Sequence, residues 1–224
     1  MTTSVGNFHN YGRDDISTEH LIGLNNSFYH LQREFTGMFN AETIERFLIS
    51  SYDEFAPRAQ VTVYLPLIAE KFACQRLKAL ARIEGKSDDE RPIVLFLCTH
   101  NAGRSQMAMG FFKQIACERA TGWSGGSEPG SQVNPAAVAA MAELGIDISQ
   151  EFPKPWTDEI VRAADVVVTM GCGDACPVFP GKRYVDWKLV DPQGLGIDDV
   201  RPIRDEIKGR VEGLLAELKV PANA

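Results

Sequence analysis

The chain has 224 residues, enough for one large or two small domains, and a hydrophobic fraction of 44%, ordinary for a globular protein. Its net charge of −7 is shared between the halves, with 9 basic against 13 acidic residues in 1–90 and 14 against 17 in 91–224, so neither half offers the basic face that nucleic acid requires. No apolar stretch approaches the roughly 20 residues of a membrane span, and the opening Met-Thr-Thr-Ser-Val-Gly-Asn-Phe lacks the basic and apolar regions of a secretory leader, so a cytoplasmic location away from membranes is expected.

Residues 1–14 are polar and aperiodic, which predicts a mobile tail. Three helical patterns follow. Leu21, Leu24, Phe28, Leu31 and Phe35 recur at helical spacing. Asn40 is placed to cap a second helix whose stripe is Ile44, Phe47, Leu48 and Tyr52. A third pattern over 60–84 carries Val61, Tyr64, Leu65, Ile68, Phe72, Leu77 and Leu80, and Pro66 within it must kink or shorten the helix. Together they predict an all-α three-helix bundle over 15–86. The polar, turn-rich run 85–92, Gly-Lys-Ser-Asp-Asp-Glu-Arg-Pro, reads as a domain boundary.

The second half, 91–224, alternates strand and helix signals. Residues 93–97 and 166–170 are apolar runs of buried parallel strands, and 123–127 and 183–187 are weaker strand candidates. Helices are expected over 104–120, 135–144, 157–163 and 199–218, with Pro202 in the first turn of the last. This alternation predicts an α/β domain with a doubly wound parallel sheet of about four strands.

The chemistry centres on Cys98. An apolar strand ends on it, five residues separate it from Arg104, and Ser105 then opens a helix. Met alone, Cys98 would read as a buried, inert thiol. The strand before it, the Gly-Arg-Ser turn and the helix after it change that reading. Thr99, His100, Asn101, Ala102 and Gly103 form a loop whose N–H groups, with the helix dipole, make an oxyanion site. Such a field favours thiolate over thiol. Arg104 can clamp two oxygens of a tetrahedral anion, and Ser105 can donate to the thiolate. The pattern points to a thiolate attacking a phosphate-like oxyanion. Asn101 can adopt the left-handed conformation such a loop needs. His100 either modulates the thiolate or caps the loop outward.

The five cysteines are odd in number and unevenly spaced, which suits active thiols in a reducing compartment. Cys172 and Cys176 follow a predicted strand directly, as Cys98 does, and loops at strand carboxyl ends share one crevice. One thiol can attack, one resolve and one carry a disulfide outward. A helical 172–176 segment would bring the two Cα atoms to about 6 Å, within disulfide range. The other readings of this pair are two incidental thiols or half a zinc site. A C-x3-C pair supplies only two zinc ligands with no histidine near it in sequence, so no metal site is expected. Cys74 and Cys117 lie in predicted helices and read as packed, unreactive thiols.

The segment Cys98-Thr-His-Asn-Ala-Gly-Arg104-Ser105-Gln-Met-Ala108 resembles the signature of the low-molecular-weight protein tyrosine phosphatase fold, and within it the arsenate reductases, notably in Ser-Gln-Met-Ala. Asn134-Pro-Ala-Ala-Val, Met141-Ala-Glu-Leu-Gly-Ile-Asp-Ile-Ser149, Asp165-Val-Val-Val-Thr-Met170 and Asp191-Pro192 continue the resemblance over about 91–219, and residues 1–90 lie outside it. It implies arsenate as substrate, with phosphate or sulfate as mimics. Cys98 would be the nucleophile and Cys172 and Cys176 the resolving pair, regenerated by thioredoxin without a cofactor. The family places its general acid at Asp191, which otherwise reads as a turn residue before proline. Met109 stands where some relatives carry a potassium-binding carboxylate, so no potassium site is expected. A phosphatase of the same fold, or a reductase served by mycothiol, are the alternatives. A redox pair favours a reductase, and Trp187 and Leu189 stand before Asp191 where phosphatases keep tyrosine.

Overall fold

The computed structural model describes residues 13, 15–59, 62–171 and 178–221, and it divides the chain into two compact units, 1–88 and 89–224. The expected tail lies outside the described residues except for Arg13. That side chain is fixed, forking onto Asp15 and Asp53 at 2.7–3.1 Å.

Three helices make the first unit: α1 (Thr18–Glu34), α2 (Ala41–Phe55) and α3 (Leu65–Ile83). Ser17 and Asn40 cap the first two by accepting from the N–H groups of His20 and Thr43. Leu24, Phe28, Leu31, Ile44, Leu48, Phe72 and Leu77 are buried, as their periodicity predicts. The third helix begins later than its apolar pattern. Pro66 sits in its first turn, where the missing N–H costs nothing, so it sets the helix start and makes no kink. Tyr64 therefore precedes the helix and is exposed, and Val61 lies outside the described residues.

The second unit is an α/β layer structure. β1 (Ile93–Cys98), β2 (Thr121–Gly126), β3 (Val166–Thr169) and β4 (Arg183–Asp186) form one sheet in the order β2-β1-β3-β4, every pair parallel. β1 is buried along its whole length because helices cover both faces. On one face Val94, Phe96, Cys98, Val166 and Val168 pack with α4 (Arg104–Ala116), α5 (Pro135–Ala142) and α7 (Ile197–Glu217). Phe96 lies between the rings of Phe112 and Trp187, with centroids at 5.5 and 5.9 Å. Burial of such a side chain contributes about 1.5–3 kcal/mol. On the other face α6 (Asp158–Ala163) packs against β1. The order places the carboxyl ends of β1 and β3 side by side at a switch point, where such sheets build their sites.

Two helix boundaries differ from the sequence pattern. α4 ends at Ala116, and Cys117 turns out of it at φ +50° and is exposed, not packed. α7 starts at Ile197 behind Gly196, which places Pro202 in its second turn.

Where α5 meets α7, Arg201 forks onto Glu143, and the buried Arg204 donates to Glu143 and to the Ala140 carbonyl, each at 2.8 Å. The Arg201 and then the Arg204 hydrogen bonds hold the Glu143 carboxyl down at about 2. A carboxyl lowered in the folded state stabilises fully above its ordinary value near 4.5 and loses that effect as pH falls through about 2. The variant Glu143→Gln should lower the urea midpoint at pH 7, and the difference from the parent should shrink steadily below pH 4.5. A constant difference down to pH 3 would show that charge plays no part. Cutting the chain at Ser87 should leave 91–224 folded, because that unit closes its own sheet and core. Loss of its helical circular dichroism would show that the units depend on each other.

Candidate active site

β1 delivers Cys98 to the carboxyl edge of the sheet, and residues 99–103 turn before α4 starts at Arg104. Every carbonyl of this turn is engaged from outside. Those of Thr99, His100 and Ala102 accept from the N–H groups of Glu128, Gly130 and Asn134, each at 2.9 Å. Gln106 Nε2 donates to the Asn101 carbonyl at 3.0 Å, and the Met107 N–H to that of Gly103 at 2.9 Å. These peptides are trans, so each N–H points opposite to its carbonyl. The amides of residues 100–104 consequently turn inward, and with the start of α4 they form an anion cradle.

One of those amides already shows the pattern. The Asn101 N–H donates to Cys98 Sγ at 3.2 Å, and Asn101 takes φ +47° to do so. Asn101 also orients Ser105. The Lys154 backbone N–H donates to Asn101 Oδ1 at 3.0 Å, so the Asn101 amide group is the side 2.8 Å from Ser105 Oγ. Ser105 accepts there, and its Oγ lies 3.0 Å from Cys98 Sγ, placed to donate to a thiolate. Sulfur thus has two groups able to donate to it within reach, the Asn101 N–H and the Ser105 hydroxyl, in a buried setting.

Arg104 is buried, and its Nη2 donates to Asp191 Oδ2 at 2.6 Å. The Gln193 N–H holds the other Asp191 oxygen at 3.1 Å. Two glycines let these parts approach. A Cβ on Gly103 would lie 2.5 Å from Pro192 Cγ, and one on Gly171, at φ +75°, would lie 3.0 Å from Arg104 Nη1. Asn134 joins three segments. Its Nδ2 donates to the Pro192 carbonyl at 3.0 Å, its Oδ1 caps α5, and its N–H holds the Ala102 carbonyl.

A cleft of about 330 Å³ opens at the loop and is lined by Cys98, His100, Gly103, Arg104, Asn134 and Asp191 among others. His100 Nδ1 lies 3.1 Å from the Glu128 carbonyl, which can only accept, so Nδ1 carries a proton. Thr99 Oγ1 donates to the Gly171 carbonyl at 3.1 Å, tying the end of β3 to the loop. Cys172 and Cys176 lie outside the described residues. Cys74 is half-buried with Sγ 3.4 Å from the Glu34 carboxylate, and burial pushes its thiol up to about 11.

Sequence reading places Cys98, Arg104, Ser105, Asn101 and Asp191 in one site, and the structure brings them together. It misses Gln106, Asn134 and the Lys154 backbone. Asn134-Pro135 carries a usable signal, an N-cap residue before a proline at the first helical position.

Comparison with known proteins gives two adjoining matches. Residues 93–223 match the low molecular weight phosphotyrosine protein phosphatase family, and residues 24–81 match a protein-tyrosine-phosphatase-like N-terminal domain. A glutaredoxin arsenate reductase of Synechocystis sp. is 38% identical over 128 residues, which are 56% of this chain and 97% of the relative. Arsenate reductase 1 of Staphylococcus epidermidis is 40% identical over 127 residues, 55% of this chain and 95% of the relative. A solved structure, the thioredoxin-dependent arsenate reductase of Corynebacterium glutamicum, superposes with a TM-score of 0.80 at 43% identity, over 89% of this chain and 98% of its own.

The hydrogen-bond order at sulfur makes a prediction. Ser105→Ala removes one donor to Cys98 and leaves the buried Asn101 amide without its acceptor. Unfolding stability should fall by about 1–3 kcal/mol, and alkylation of Cys98 by iodoacetamide at neutral pH, followed by peptide mapping, should slow. Unchanged alkylation would place the Ser105 proton elsewhere.

Proposed function

The chain belongs to the low molecular weight phosphotyrosine protein phosphatase family, and from that premise we propose that it is an arsenate reductase. The observation that carries this reading is the convergence on Cys98 Sγ of the Asn101 N–H and the Ser105 hydroxyl, inside a loop whose amides face inward beside the buried Arg104. The named relatives support the substrate. The cleft supports it as well. Among the described residues its lining carries no tyrosine, phenylalanine or tryptophan to receive a phosphotyrosine ring, and Trp187 is buried against Phe96. A small tetrahedral anion needs no such wall.

Arsenate enters the cradle, where the loop amides and Arg104 neutralise its oxygens. The Cys98 thiolate attacks arsenic, an As–S bond forms, and an arsenate oxygen departs as water. Asp191 stands beside Arg104 and can move the proton that this departure requires. The Cys172 thiolate then attacks Cys98 Sγ. The As–S bond breaks with its electron pair staying on arsenic, which leaves as arsenite, and a Cys98–Cys172 disulfide forms. Cys176 attacks Cys172, freeing Cys98 as thiolate and moving the disulfide to Cys172–Cys176. The dithiol of thioredoxin then reduces that bond. Gly171, beside Cys172 in sequence, is tied to the loop through Thr99, which supports Cys172 as the first resolving thiol. The C. glutamicum neighbour, matched over both units, supports thioredoxin as reductant. Such free thiols suit the cytoplasm.

A steady-state assay with thioredoxin, thioredoxin reductase and NADPH should show arsenate-dependent NADPH oxidation and little hydrolysis of a phosphate ester. The reverse result would make the protein a phosphatase, and activity only with mycothiol would replace the reductant. Cys98→Ser should abolish reduction with the fold intact. Arg104→Lys should lower it by about 10²- to 10³-fold, the scale of one lost oxyanion donor. Cys176→Ser should turn over once and stop with Cys98 bridged to Cys172, read by peptide mass mapping. Sustained turnover of Cys172→Ser through a Cys98–Cys176 bridge would reverse the order of the pair.

A further inference from the structure

The carboxylate of Asp191 has a role beyond moving a proton. It is held from both sides, Oδ2 by Arg104 Nη2 at 2.6 Å and Oδ1 by the Gln193 N–H at 3.1 Å. It lines the same cleft as Cys98 and Gly103, and its side chain is 45% exposed, so it faces whatever enters. The cleft therefore presents a fixed cation, the Arg104 guanidinium, already shared with a fixed anion.

An entering oxyanion meets the Asp191 oxygens at one side. If the nearest ligand oxygen carries no proton, lone pairs face lone pairs and like charges are pressed together. If it carries a proton, that O–H donates to the carboxylate and the same contact becomes a charge-assisted hydrogen bond. Hydrogen arsenate and hydrogen phosphate keep one O–H at neutral pH, whereas sulfate keeps none.

We propose that Asp191 is a specificity-determining residue that admits tetrahedral oxyanions still carrying a proton and rejects fully deprotonated ones of the same shape. The proposal rests on the reductase reading only in seating an oxyanion on the 98–104 loop. It makes sulfate, abundant and isosteric, a poor competitor for the site. The device is a hydrogen-bond acceptor that only the correct protonation form can satisfy, which discriminates more strongly than size does.

The test is calorimetric titration of the reduced full-length protein with phosphate and, separately, with sulfate at neutral pH. Phosphate should bind about 10- to 100-fold more tightly than sulfate, less than a fully buried acceptor would enforce because Asp191 is partly solvated. In Asp191→Asn the carboxamide can donate to a bare oxygen, so sulfate should gain, phosphate should weaken, and the ratio should collapse toward one. Asp191→Glu restores a carboxylate and should recover part of the preference, which a merely structural role for Asp191 would not produce. Equal binding of the two anions by the parent protein, or the same ratio in Asp191→Asn, overturns the proposal while leaving arsenate reduction intact. If neither anion binds the parent protein, both the selectivity and the reductase reading fall.

Discussion

The site depends on where the carbonyl groups of residues 99–103 point. A loop that presents its amides to an anion must turn its carbonyls away, and buried carbonyls need donors. Here three of the donors come from well outside the loop in sequence and two from the helix that follows it. The N–H groups of Glu128 and Gly130 arrive from the segment after β2, and that of Asn134 from the cap of α5. The Gln106 side chain and the Met107 N–H come from the first turns of α4. The parallel sheet sets β1 beside β2 so that these donors reach the loop. The fold itself thus holds the loop carbonyls outward.

Charge balance is the second constraint. A buried guanidinium without a counterion is costly, and Arg104 is buried beside Asp191. The Asp191 carboxylate fills that need when no oxyanion is bound. Asn134 holds the Asp-Pro turn through the Pro192 carbonyl, and Gly103 leaves room for Pro192 to come close. An incoming anion then joins a charge pair and does not meet a free cation.

The strand, the loop and the helix after it could be read from sequence because their signals are local. An apolar run, a positive-φ asparagine and a helix start all fall within 93–106. The capped helices α1 and α2 were legible for the same reason. The residues that hold the loop were not. Gln106 looks like one more position in a buried helix, and nothing nearby tells that it reaches back to the Asn101 carbonyl. Lys154 acts only through its backbone, 53 residues from Asn101, and a backbone N–H has no sequence signature. Cys117 reads as a helical position because the helix pattern runs on past the end of α4 at Ala116.

The cradle alone does not separate a reductase from a phosphatase, since both need a thiolate nucleophile, inward amides and an arginine. They part at the second step. A hydrolase must aim water at the covalent intermediate, and an aromatic wall helps it hold a tyrosyl leaving group. A reductase must bring a second sulfur to the first. In this chain the residues before Asp191 turn inward or away: Trp187 is buried against Phe96, Leu189 packs on the core, and Val190 faces solvent. The edge of the loop next to β3 is instead tied to Gly171, directly before a Cys-Gly-Asp-Ala-Cys run. The aromatic wall that would help hold a tyrosyl group is missing from the cleft lining among the described residues. What a thiol relay would require adjoins the loop in sequence, and that asymmetry favours reduction over hydrolysis.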